Sequence, residues 1–199
     1  MLSDQEHKSV LEWFAVRVRS RYETRVATDF KHKGYDEFLP MYDSVRRWSD
    51  REKALEQPLF PGYLFCRFCV RERLPILKTP NVITIAGSGK TPIAVGDDEI
   101  DALKAVIRSG LPAMPWGHVT VGSKVSIVHG PLAGLDGIAL KVKNKFRLIV
   151  SVSLLQRAVA VEIEHSWAQP IKVGKMSGKL AAAQAGFSGE RLSARAGVV

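Results

Sequence analysis

The segment from Val121 to Lys143, VGSKVSIVHGPLAGLDGIALKVK, constrains this chain more than any other. A strand-like run, Val125 to Val128, meets a turn carrying Gly130, Pro131, Gly134 and Gly137, and a second run, Ile138 to Val142, leaves it. Glycine admits backbone angles that other residues resist, and proline fixes its own φ, so the turn has a defined shape. Only short strand patterns follow, at 147–153 and 158–164, with Lys143-Asn144-Lys145 as the turn that leads into the first of them. The β-branched residues and glycines of 121–163 favour strands over helices. The last third of the chain therefore reads as a small β-barrel.

The first residues of the chain include acids and lack an apolar run, which does not fit a secretory signal. No stretch is apolar enough to span a bilayer, so a soluble chain is expected. At 199 residues, one large or two small domains fit. The net charge of +9 suggests a polyanionic partner. That charge is spread thinly: residues 1–112 hold 18 Lys and Arg against 16 Asp and Glu. Any nucleic-acid contact is then a local patch rather than a uniformly basic domain.

Along the first half, Trp13 to Arg19 alternates as a half-buried strand. Ser20 to Glu23 has the spacing of a capping box opening a helix, with Tyr22, Val26 and Phe30 as its apolar spine and Gly34 at its end. Tyr35 to Pro40 reads as a second strand, Ser49-Asp50 as a hairpin tip, and Leu59 to Phe68 as an apolar strand kinked near Pro61-Gly62. A short helix at 71–78, a strand at 82–86 and a helix at 97–109, with acids in its first turn, complete the half. This order predicts an α+β sandwich with helices packed on a sheet. Leu111 to Thr120 contains two prolines and a glycine and reads as a linker. Residues 172–199 are rich in Ala, Gly and Ser without a core pattern, and disorder is expected there.

The strand-turn-strand segment from Val121 to Lys143 resembles a KOW motif. With the α+β first half and the Phe60-Pro61-Gly62-Tyr63 strand, it resembles the NusG family of transcription elongation factors over residues 12–171. Landmarks fall in the family's order: Trp13-Phe14, Arg25-Val26-Ala27, Leu59 to Phe65, Pro92-Ile93, then VSVSLLQRAVAVEI at 150–163. The stretch at 46–65 and the short linker look more like a specialised paralogue, UpxY-like or RfaH-like. The resemblance implies an NGN-type α/β sandwich at 12–110, a linker at 111–120 and a KOW-bearing, SH3-like β-barrel at 121–171. It also implies a cytoplasmic, non-enzymatic protein with no cofactor, promoting processive elongation or antitermination.

By the same resemblance, the N-terminal domain binds the clamp helices of RNA polymerase through Phe60, Pro61, Tyr63 and Phe65. Alternation sets Pro61, Tyr63 and Phe65 on one face and leaves Phe60 to the core; each of them reads equally as sheet packing. Arg17, Arg19, Arg21 and Arg25 form a basic cluster at the strand-to-helix junction, a region that touches the non-template DNA strand in RfaH-like relatives; Arg19 and Arg25 match contacting positions, and Lys78-Thr79 falls near a second contact segment. A solvated face with Glu23 and Asp29 as ion partners is the competing reading. In the barrel, His129, Gly130, Leu132, Leu135, Lys143 and Lys145 are candidates for contact with a ribosomal protein or the termination factor Rho.

Two other chemistries fit poorly. Cys66 and Cys69 form a lone CxxC on an apolar strand, without the second pair a metal site needs. Gly87-Ser-Gly-Lys90-Thr91 has Thr84 where a phosphate loop needs glycine, and Pro92 where it needs a helix, so a hairpin turn is expected. A ribosomal or ribosome-assembly KOW protein that binds folded RNA is the alternative function.

Overall fold

The computed structural model describes residues 10–47, 52–117, 122–142 and 145–171. The alternation of Glu12–Val18 (β1) sets the first layer. β1 pairs antiparallel with Tyr63–Phe68 (β5) on one side, Phe14 opposite Cys66 and Arg17 opposite Tyr63. Its other side takes Val82–Ile85 (β6) and Ala94–Val95 (β9). Asp36–Phe38 (β2) borders β5, giving the order β2-β5-β1-β6.

Phe14, Val16 and Val18 face the helix Glu23–His32 (α1), whose Val26 and Phe30 are fully buried against Leu64, Cys66 and Phe68. Each such side chain contributes about 1.5–3 kcal/mol through area removed from water. The short helix Leu74–Leu77 (α2) adds Ile76 to the same layer. Trp13 and Ala15 face the opposite way, joining Phe60 and Phe65 under the helix Asp97–Arg108 (α3). The apolar stripe of α3 is Ile100, Leu103 and Val106, with Ile107 half-buried beside it.

Met41–Arg47 (β3) and Glu52–Pro58 (β4) form a hairpin; the expected tip at Ser49-Asp50 lies outside the described residues. Gly87–Ser88 (β7) and Thr91–Pro92 (β8) form a second, tight one, with Gly89 at φ +60°. The Gly-Ser-Gly-Lys-Thr string is therefore a hairpin turn, as its sequence context predicts.

The C-terminal part is a six-stranded antiparallel sheet: Ala113–Gly117 (β10), Ser123–Ile127 (β11), Asp136–Val142 (β12), Lys145–Val152 (β13), Arg157–Ile163 (β14) and Ala168–Pro170 (β15). The order is β10-β14-β13-β12-β11-β15. Leu148, Val150, Val152, Val159 and Val161 fill its inner face, in a cluster continuous with the α3 side of the first sheet.

Two expectations are corrected. The Ser20 to Glu23 capping box does not form: Tyr22 is the N-cap without a side-chain bond, because Arg21 sits at φ +73° and Glu23 is buried elsewhere. The expected linker at 111–120 contains β10, which pairs with β14 from Ala113–Val161 to Gly117–Arg157. Met114 and Trp116 find apolar partners in Ala158, Ala160 and Ile149, and that burial overrides the low strand propensity of a Pro- and Gly-containing segment. The expected disordered segment 172–199 lies outside the described residues.

Candidate functional site

β1 ends where the chain turns into α1, and three hydrogen bonds fix this corner. The Val18 amide donates to the Gly62 carbonyl at 2.9 Å. The Arg19 amide donates to the Asn81 carbonyl at 3.0 Å, and the Gly62 amide donates to the buried Glu23 carboxylate at 2.8 Å. Gly62 has φ +81°, a left-handed conformation that glycine adopts without steric cost. Buried Glu23 thus satisfies the amide of that turn, and the Pro61-Gly62-Tyr63 corner is joined to the strand-to-helix junction.

Arg17, Arg19, Arg21 and Arg25 are all exposed around this corner, with Tyr22 exposed among them. Arg25 pairs with Asp29 at 3.5 Å, so one expected ion partner is real. Glu23 is not a surface partner, since its carboxylate is turned inward. Lys78 is exposed on the loop that leads to Asn81. Thr79, expected beside it as a contact residue, is buried and structural: its hydroxyl donates to the Pro75 carbonyl at 3.0 Å and accepts from Lys33 Nζ at 2.6 Å.

The four apolar candidates divide. Pro61 is exposed and Tyr63 half-buried. Phe60 is core, as alternation predicts. Phe65 is also core, contrary to its expected place on the outward face: it stacks on Phe38 at 6.1 Å and meets Phe60 edge-on at 5.6 Å. α3 covers this side of the sheet at Phe65, which period-2 reasoning cannot see.

Tyr63 is not fully open either. The Arg157 guanidinium lies 5.1 Å from its ring centre and donates to the Pro61 carbonyl at 3.0 Å. Beside it the Ser153 amide donates to Glu99 Oε1 at 3.2 Å, and Leu154 and Leu155 pack against the shared cluster. A cleft of about 450 Å³ opens along this seam, lined by Asp98, Glu99, Asp136 and Ser151 among others. Arg157, Leu154 and Leu155 were not among the expected contact residues, although they fall within the landmark at 150–163.

In the C-terminal sheet, His129 and Gly130 are exposed on the β11–β12 turn. Gly130, at φ +80°, is structural as well, because a Cβ there would lie 2.8 Å from the Trp167 ring. Leu132 is fully buried and Leu135 half-buried against the core, so Leu132 offers no surface. Lys145 is exposed but engaged by Glu162, whose carboxylate it meets at 2.7 and 3.0 Å. That bond, with Arg147 nearby, holds the Glu162 carboxyl below its ordinary value. Lys143 lies outside the described residues. Cys66 and Cys69 are buried free thiols, and among the described residues no group of His, Cys, Asp and Glu converges as for a metal.

An aromatic turn thus lies beside a cationic corner, on an α/β module joined to a β-sheet module. Residues 11–104 match the family model described as transcription termination factor nusG. The transcription termination/antitermination protein NusG of Escherichia coli (strain K12) is 29% identical over 168 residues, covering 77% of this chain and 93% of that protein. The NusG of Vibrio vulnificus (strain CMCP6) is 29% identical over 166 residues, covering 76% and 91%. A solved structure described as domain interaction in Thermotoga maritima NusG covers 82% of this chain and 98% of that one, with a TM-score of 0.53 at 19% identity, which shows a shared fold. The chain is thus similar to NusG proteins in sequence, most closely delimited over residues 11–104, and shares their fold.

Proposed function

We propose that this chain is a transcription elongation and antitermination factor that holds RNA polymerase in a processive state. Its N-terminal module docks on the clamp helices through Pro61 and Tyr63, with Phe60 and Phe65 supporting the turn from beneath. Arg17, Arg19, Arg21, Arg25 and Lys78 line the path of the non-template DNA strand. The observation that carries this reading is the Glu23–Gly62–Val18 bonding, which holds the aromatic turn and the cationic corner as one continuous surface. A clamp movement toward the paused state then has to break the contact, because a ligand stabilises the state it binds better.

The stretch at 46–65 and the SLLQRAVAVE run favour a specialised paralogue of the UpxY or RfaH type, acting in the cytoplasm. The C-terminal sheet, read as a KOW barrel, engages a ribosomal protein or Rho through the His129-Gly130 turn. Arg157 over Tyr63 means that full docking needs the C-terminal sheet to move off the N-terminal face.

The test is binding of the full chain to the clamp-helix fragment of RNA polymerase, comparing wild type, Tyr63→Ala and Arg157→Glu. Loss of about tenfold or more for Tyr63→Ala, the scale of an aromatic anchor, supports the reading. Arg157→Glu is expected to bind more tightly than wild type. A folded chain that ignores the fragment in all three forms, while retaining ribosomal RNA, would move the assignment to an RNA-bound KOW protein.

A further inference from the structure

Residues 113–117 have the composition of a linker and the hydrogen bonding of a strand, and that conflict is informative. Conflicts of this kind between local sequence and global fold concentrate at functional segments. The Glu162 amide donates to the Pro112 carbonyl at 3.1 Å, which makes 112–162 a hydrogen-bonded pair. Such pairs alternate along an antiparallel ladder, so Met114–Ala160 and Trp116–Ala158 exchange bonds, whereas Pro115 opposite Val159 does not. Pro115 therefore costs the ladder nothing, and its missing amide falls on the free edge of the sheet. β10 is built to end the sheet, but it is short, and its Pro115 and Gly117 are exposed.

The attachment of β10 to the N-terminal module is shorter still. α3 ends at Arg108, and the Ser109 and Gly110 amides still bond back to Ala105 and Ile107. While β10 stays paired, only residues 109–112 join the modules, a reach of about 14 Å when fully extended. Once β10 leaves β14, residues 109–122 become the connection, with a reach of about 48 Å. A crevice of about 470 Å³ opens beside this joint, between Tyr42, Ile107, Leu111 and Met114.

We propose that β10 is stored linker: the two modules separate only when residues 113–117 peel from β14. Seam and strand then open as one event. Lifting Arg157 off Tyr63 bares the β14 edge and the Ile149, Ala158 and Ala160 surface that Met114 and Trp116 now cover. The inference concerns how the chain opens and does not rest on what its N-terminal face binds.

The test locks β10 to β14 with a disulfide between Ala113→Cys and Val161→Cys. This is a non-hydrogen-bonded pair, whose close Cα spacing of about 4.5 Å suits a disulfide. The lock is placed in a full-length chain whose seam is broken by Leu154→Arg and Arg157→Glu, and small-angle X-ray scattering is recorded reduced and oxidised. Amide NMR spectra of both forms confirm that each module stays folded. The expected result is an extended two-body profile when reduced and a compact one when oxidised, restored to extended by reductant. Extension in both redox states overturns the proposal, since the modules then part with β10 in place. A compact profile in both states also overturns it, because removal of the seam then fails to release the strand.

Discussion

The Glu23 carboxylate accepts a 2.8 Å hydrogen bond from the Gly62 amide across the corner where β1 meets α1. An acid at the first position of a helix is commonly explained by the helix dipole. Here it is buried and serves a second element, the turn that presents Pro61 and Tyr63. Glu23→Ala leaves a buried amide without a partner and is expected to cost about 1–3 kcal/mol, read as a lowered thermal midpoint. Glu23→Gln keeps a carbonyl acceptor and should recover most of the loss. If both substitutions are silent, the carboxylate does not hold the turn.

Arg157 covers one face of Tyr63 at 5.1 Å. Removing it should make the ring more reactive without unfolding the chain, because Arg157 is itself only half-buried. Nitration of Tyr63 by tetranitromethane is expected to speed up several-fold in Arg157→Ala. An unchanged rate would mean that the guanidinium does not screen the ring in solution.

The parts of this arrangement that were legible in the sequence are those set by local periodicity. The strand at Trp13 to Arg19, the helix at 97–109 and the glycine-rich turn at 128–137 each appear where the pattern puts them, although Trp13 and Ala15 are buried on the face that a half-buried strand would leave open. What escaped were features decided by a distant partner. Thr79 reads as a polar surface residue until Lys33, far off in the chain, is seen bonded to it. Phe65 alternates onto the same face as Tyr63, yet α3 covers one and not the other. Residues 113–117 score as linker because propensity cannot anticipate the free edge of β14. The contact of Arg157 with Pro61 depends on how two modules meet, which no window of residues encodes.

Cys66 is buried within the α1 layer, and burial, with the Glu37 and Asp36 carboxylates nearby, pushes its thiol up to about 12. The folded state therefore keeps the neutral form that the unfolded chain gives up near its ordinary value. The contribution is fully present below that ordinary value and is lost as pH rises from there toward about 12. Two results are expected. A thiol reagent at pH 8 should modify Cys66 only as fast as the chain unfolds, and the alkaline loss of thermal stability should be shallower in Cys66→Ala. A steep loss of equal size in that variant would assign the alkaline transition to other groups.

Gly130 holds φ +80° with its α-carbon against the Trp167 indole, where a Cβ would lie 2.8 Å from the ring. Gly130→Ala combines a left-handed backbone with a clash against a half-buried tryptophan. A cost of about 1–3 kcal/mol is expected from the backbone alone. Gly134→Ala, at φ +90° with no atom near its would-be Cβ, isolates the backbone part. Urea midpoints that fall further for Gly130→Ala than for Gly134→Ala would separate clash from strain, and equal midpoints would show that Trp167 simply moves aside.

The cationic corner makes a prediction about inequality among its members. Arg25 already spends part of its charge on Asp29 at 3.5 Å, whereas Arg19, its backbone pinned to Asn81, has no ion partner among the described residues. Counterion release on binding a single strand counts only the cations that meet phosphate. Arg19→Ala should therefore weaken binding to a single-stranded oligonucleotide more than Arg25→Ala does, and should lower the salt slope by close to one contact. Asp29→Asn frees Arg25 and is expected to raise affinity at low salt. Equal losses at both arginines, with no response to Asp29→Asn, would leave the corner as a solvated charged face and take the DNA path away from it.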